Sequence, residues 1–157
     1  MMLLNLRRSS FGTLCLAMFL LSLLLAVPAT ASDKAEIQDV IQRAYIEGIH
    51  INGDSAAIRS GFHPSFVMFI QRDGEIRQVL IEDWISRIEE SQKEAGDSKE
   101  EKPKVKADID VLDLVGAAAV ARVRVHKDGK QVYTDFMSLY RFDDGWKIVA
   151  KTFHSHR

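Results

Sequence analysis

The sequence predicts an α+β domain, helices first and an antiparallel sheet after, on three observations. Helical spacing of apolar residues is confined to the stretch before Lys93. The last third is a succession of long strand-like runs punctuated by Gly116, Asp128-Gly129 and Asp144-Gly145. And of 14 Leu residues 10 precede Ser32, so the rest of the chain is rich instead in Ile, Val, Phe and Tyr, which favour sheet. The 157 residues fit one domain of ordinary size, which excludes a multidomain enzyme. With 21 Lys+Arg against 22 Asp+Glu, no overall basic field points to nucleic acid.

The leucine-rich start has its own logic. Arg7 and Arg8 precede an uncharged run from Leu14 to Val27, then Pro28 and the small-x-small triplet Ala29-Thr30-Ala31. This is the pattern of a secretory signal peptide over residues 1–31, cleaved after Ala31, with a run too short to span a bilayer. The expected product is an exported protein, periplasmic or secreted, with no membrane attachment after cleavage. The single domain is then 32–157. The only cysteine, Cys15, leaves with the peptide, which excludes disulfides, thiol catalysis and cysteine-ligated zinc in what remains. Removing Arg7 and Arg8 shifts the net charge from −1 to −3.

In the domain, Asp33 with Glu36 reads as a capping box. Ile37, Val40, Ile41, Ala44, Tyr45 and Gly48 then recur at three- and four-residue steps, a first helix with one buried face. Asn52-Gly53 breaks it, and Asp54 caps a short second helix through Ile58 that stops at Gly61. Phe66 to Gln71 reads as a strand, Asp73-Gly74 as a hairpin turn and Glu75 to Leu80 as the partner strand. From Glu82, the positions Trp84, Ile85 and Ile88 mark a third helix, which gives way to a charged surface loop from Lys93 to Lys102. Four strands follow, Val105 to Val115, Ala117 to Lys127, Lys130 to Phe142 and Gly145 to His154. Helices gathered ahead of an antiparallel sheet pack on one of its faces.

Three motifs in this frame match a known group: Tyr45-Ile46-Glu47-Gly48 leading to Gly53-Asp54; Phe62-His63-Pro64; and Asp135-Phe136-Met137-Ser138-Leu139 followed by the segment from Asp144-Gly145-Trp146-Lys147 to His154. Together they resemble the "Putative lumazine-binding" family of the nuclear transport factor 2-like (SnoaL-like) superfamily, over essentially all of 32–157. The resemblance implies a cone-shaped fold, a curved antiparallel sheet packed on three N-terminal helices around an internal pocket, and a homodimer. It leaves function open, because this superfamily carries isomerases, dehydratases, cyclases and pure binding domains on one scaffold.

Strand register supplies candidate chemistry. A two-residue turn at Asp144-Gly145 places Asp135 opposite His154, and one at Asp128-Gly129 places Arg122 opposite Asp135. Arg122, Asp135 and His154 then form a row on one face with Val120, Met137, Leu139, Ile148 and Ala150. The opposite face, with Phe136, Ser138, Val149, Lys151 and Phe153, is left for a dimer contact. A carboxylate beside an imidazole orients it and raises its basicity, and an arginine binds an anion. Asp135 and His154 are therefore the catalytic candidates. The ligand-binding candidates are Tyr45, His63, Arg122, Asp135, Lys151 and His154. The simpler alternative is a structural network that satisfies buried polar groups. A one-residue slip moves partners to opposite faces and makes Lys151 the partner of Asp135. Trp84 and Trp146 read as core anchors.

No glycine-rich phosphate loop, helical His-Glu-x-x-His or nucleophile elbow is present, so neither a cofactor nor a metal is expected. The reading that results is an exported small-molecule-binding or accessory protein without catalytic activity of its own. Its partners would be a small apolar or anionic molecule and a second copy across the outer sheet face, with no nucleic acid. The alternative is a cofactor-free lyase or isomerase using an Asp/His acid–base pair.

Overall fold

A computed structural model describes residues 29–96 and 103–156. The proposed signal peptide lies outside them except for Ala29-Thr30-Ala31. Those three residues fall in the opening turn of helix α1 (Ala29–Val40), so α1 begins four residues ahead of the expected capping box. Asp33 is accordingly not a cap. It is buried and accepts a 2.6 Å bond from the guanidinium of Arg141, 108 residues away along the chain. No helix among the described residues is long and apolar enough to cross a membrane.

At Val40 the helix continues without a break but loosens into a π-helix, Ile41–Asn52. Side chains five apart now meet, as they must when hydrogen bonds run i→i+5. Gln42 Nε2 donates to Glu47 Oε1 at 3.0 Å, and the Tyr45 and His50 rings stand edge to face at 4.7 Å. Gly53 ends the segment in the left-handed region, φ +65°. A Cβ there would sit 2.0 Å from Gln92 Nε2, which instead donates to the Asn52 carbonyl at 2.8 Å. As the sequence predicts, Asp54 caps α2 (Ser55–Gly61), accepting from the Ala56 and Ala57 amides. Gly61 packs so close to the π-helix that a Cβ would lie 2.3 Å from the Ala44 Cβ.

Strands β1 (Phe62–Arg72) and β2 (Glu75–Leu80) form the expected hairpin, with Asp73 and Gly74 both at positive φ. Helix α3 (Ile81–Ala95) follows, burying Ile81 and Ile85. Then come β3 (Val105–Val115), β4 (Ala118–Lys127), β5 (Lys130–Phe142) and β6 (Gly145–Ser155). The six strands form one curved sheet in the order β2-β1-β6-β5-β4-β3. Every neighbouring pair is antiparallel except β1 with β6, a parallel join that seats the hairpin beside the last strand. The core lies between this sheet and the helices, with Ile37, Ile41, Tyr45, Ile46 and Ile85 meeting Phe66, Val123, Met137 and Ile148.

Register corrects the expected row. The last turn is one residue earlier than expected, with Phe142 opposite Gly145. That error slides partners two places and leaves faces unchanged. The face changes because Val149 bulges out of β6 between the pairs Leu139–Ile148 and Ser138–Ala150. Asp135 therefore sits opposite Phe153, not His154. In β5 the extra residue is Val132, and it sets Asp135 opposite Val123 rather than Arg122. Val120 and Ala150 consequently turn to the outer face with Arg122 and His154, while Lys151 and Phe153 turn inward.

Candidate functional site

Three side chains from distant parts of the chain meet inside the domain. Tyr45 comes from the π-helix, Asp135 from the middle of β5 and Lys151 from β6 just past the bulge. Tyr45 Oη donates to Asp135 Oδ2 at 2.6 Å, and Lys151 Nζ donates to Asp135 Oδ1 at 2.8 Å and to Tyr45 Oη at 3.0 Å. Tyr45 and Asp135 are 0% exposed and Lys151 is 4% exposed. Such a closed ring of partners is what burial of a charge demands, because an unpaired ion inside a protein is far too costly.

The ammonium also lies among aromatic rings. Lys151 Nζ is 4.6 Å from the centre of Phe153, 4.9 Å from Tyr45 and 5.3 Å from Trp84. Ring faces carry partial negative charge, so they favour a cation that water cannot reach. Burial still pushes the Lys151 amine below its ordinary value, and the adjacent Asp135 carboxylate opposes that shift. The Tyr45 hydroxyl is held well above its ordinary value, first by burial and then by the charge and hydrogen bond of Asp135. At neutral pH the phenol keeps its proton.

A cleft of about 510 Å³ adjoins this cluster between the end of the π-helix and α3. His50, Met68, Trp84, Arg87, Ile88 and Gln92 line it. Two of its walls are also walls of the buried cluster. Trp84 covers Lys151, and His50 packs on Tyr45. His50 further stacks toward Tyr133 at 6.2 Å. Its apolar walls stand beside the Arg87 guanidinium and the amides of Asn52 and Gln92.

Of the residues singled out from sequence, the fold brings together Tyr45, Asp135 and Lys151. The other three lie elsewhere. His63 stacks on Phe142 at 4.8 Å and accepts from the Ser65 amide at 3.1 Å. Arg122 is on the outer face, bonded to Asp110 at 2.9 Å. His154, also outward, meets the His156 ring edge to face at 4.8 Å. The Asp135–His154 pair is thus replaced by Asp135–Lys151, the partner that a register slip makes available. His50 escaped notice because an α-helical reading puts it off the face of Tyr45, whereas five-residue spacing puts it on that face. Among the described residues no three His, Cys, Asp or Glu side chains gather as metal ligands would.

Residues 32–154 match the family described as "Putative lumazine-binding". The chain belongs to that family. It is also 30% identical over 125 residues, 78% of this chain and 93% of the relative, to the aldolase FrzH of a Cladobotryum species. Among solved structures, a nuclear transport factor 2-like protein of unknown function from Shewanella baltica superposes with a TM-score of 0.63. The two are 25% identical, and the match covers 81% of this chain and 96% of that one. A second such protein, from Silicibacter pomeroyi, has a TM-score of 0.62 at 20% identity, covering 81% and 98%. A family member with this fold therefore presents a closed Tyr–Asp–Lys cluster behind an open cleft.

Proposed function

We propose that this chain is an exported small-molecule-binding protein whose ligand occupies the cleft between the π-helix and α3. The observation that carries the reading is the double use of Trp84 and His50, each walling the cleft on one side and the buried cluster on the other. Trp84, Met68 and Ile88 favour an apolar or aromatic body, and Arg87 favours an acceptor or anionic edge. The cavity size is that of ordinary ligand sites, roughly 300–1,000 Å³. A thermal-shift screen tests this. A ligand at 100 times its Kd raises stability by about 2.7 kcal/mol, and Trp84→Ala should abolish the rise. A screen of aromatic and anionic compounds without any shift, or a shift indifferent to Trp84→Ala, would remove the reading.

The same reading includes a homodimer through the outer sheet face. Val120, Phe136, Tyr140 and Phe142 are 41%, 44%, 51% and 40% exposed there, an apolar surface suited to a second sheet. Sedimentation at micromolar concentration should show a dimer that Phe136→Glu dissociates.

The relative named aldolase favours a second reading, in which the cleft ligand undergoes carbon–carbon bond chemistry. Tyr45, Asp135 and Lys151 hold and exchange protons without a cofactor, which suits making or breaking a bond beside a carbonyl. Turnover of a β-hydroxy ketone to two carbonyl fragments, lost in Lys151→Met, would establish it. Absence of turnover from every β-hydroxy ketone that the cleft binds would leave binding alone.

A further inference from the structure

We propose that Lys151 captures a small aldehyde or ketone from the cleft as a covalent iminium, with Asp135 as its charge partner and the Tyr45 hydroxyl as its proton relay. This rests on the cleft as a ligand site, and goes beyond it in naming the ligand's functional group and the atom that binds it.

The surroundings of Nζ fit that product. A carboxylate at 2.8 Å and three ring faces within 5.3 Å make a box for a monocation with no room for bulk water. Condensation of a lysine ammonium with a carbonyl keeps the charge: one ammonium and one carbonyl give one iminium and one water. The nitrogen lone pair forms the new C–N bond after one ammonium proton moves to the Asp135 carboxylate. The carbonyl oxygen takes a proton from Tyr45 Oη. A second nitrogen proton and the cleaved C–O bond leave with that oxygen as water, and the proton on Asp135 returns to Tyr45. The iminium ends beside an ionised Asp135, so the ion pair present before reaction is present after it.

Two side chains, Trp84 and His50, stand between the cleft and the cluster. The Trp84 ring lies 5.3 Å from Nζ and is itself a wall of the cleft, so it is the side chain that a carbonyl compound must pass to reach the amine. No other lysine of the described residues is as buried: Lys151 is the one lysine in the buried set. Exposed lysines near their ordinary value of about 10.4 are almost wholly protonated at neutral pH. Burial pushes the Lys151 amine below its ordinary value, which raises its reactive neutral fraction over that of an exposed lysine.

The test is reductive trapping on the intact protein. Acetaldehyde, acetone and pyruvate are added separately at neutral pH, each is reduced with borohydride, and the adduct is located by peptide mapping. Mapping the unmodified sequence avoids reliance on a lysine variant that fails to fold. The expected result, with at least one of the three, is preferential labelling of Lys151 over the exposed Lys106 and Lys130. Labelling of Lys151 no higher than of those surface lysines, or none, overturns the proposal. Quenching of Trp84 fluorescence by the same compounds is recorded in parallel, with Trp84→Phe as the control. Quenching without Lys151 labelling overturns the iminium and leaves the cleft as a reversible binding site. Absence of both signals overturns the iminium, and the cleft then stands or falls by the thermal-shift screen.

Discussion

Two ionic clusters occupy the same sheet, back to back, and they differ in almost every physical respect. On the inner face, Asp135 and Lys151 make one pair, with Tyr45 closing the ring and no water-accessible surface on the acid. On the outer face, Arg122 and Arg124 share Asp110 at 2.9 and 3.0 Å, and Arg124 reaches Asp108 at 3.5 Å. The outer cluster has more charges and as many short contacts, yet its side chains keep between 32% and 59% of their surface in solvent. In the single chain water already satisfies those groups, so the pairs add little, whereas the inner groups have only one another. Counting ion pairs would rank the two clusters in the wrong order.

The largest expected effect breaks the inner pair on one side. Asp135→Ala leaves a buried ammonium without its carboxylate and should cost about 3–5 kcal/mol of stability in urea unfolding. A loss below about 1 kcal/mol would mean that the cluster is hydrated after all, and the contrast with the outer face would collapse. Replacing Asp135 by Leu, Lys151 by Met and Tyr45 by Phe together removes every stranded partner and should recover most of that loss. Next in size, Tyr45→Phe alone deletes one hydrogen bond to a carboxylate and one from an ammonium, for about 1.5–3 kcal/mol.

Smaller again is the pH dependence, in which the clusters act at opposite ends of the scale. Lys151 titrates below 10.5 in the fold, so between its folded value and 10.5 the unfolded chain binds the extra proton, and this group makes stability rise with pH. Tyr45 titrates above 10.0 in the fold, so its contribution is intact below pH 10 and is lost as pH climbs beyond it. Asp110, bonded to Arg122, titrates below 3.8, and its contribution is lost as pH falls through the acid range. Stability measured across pH should therefore turn down at the alkaline end in the wild type and turn down less in Tyr45→Phe. An identical alkaline limb in both would take the effect away from Tyr45. Smallest of all, Asp110→Asn should leave the melting temperature unchanged at physiological salt, where exposed pairs are screened. A drop comparable to that of Asp135→Ala would overturn the ranking of the two faces.

Much of this architecture is legible in the residues. Asp73-Gly74 and Asp128-Gly129 announce their turns because both need positive φ, and Asp54 announces a helix start because its carboxylate bonds the first free amides. The α+β order and the burial of Tyr45 and Asp135 follow from apolar spacing. What escapes is whatever depends on a backbone irregularity without a side-chain signature. Val132 and Val149 are ordinary strand residues, and nothing in their chemistry says that the ladder passes them over. The looser pitch of Ile41–Asn52 is equally silent, which hid His50. The parallel join of β1 to β6 depends on where the helices place the hairpin. The site was thus half visible: Tyr45, Asp135 and Lys151 could be named as candidates, but the bulge decides that Lys151 rather than His154 completes the group.

That bulge gives β6 an unusual relation to its own gene. Deleting the codon for Thr152 or Phe153 would turn over the residues after it and bring His154 to the inner face. Loss of Val149 alone is different, because Ile148 and Ala150 are already paired with the consecutive residues Leu139 and Ser138. A chain one residue shorter there keeps Lys151 beneath Asp135, so this position is where the lineage can lose a codon and keep its interior.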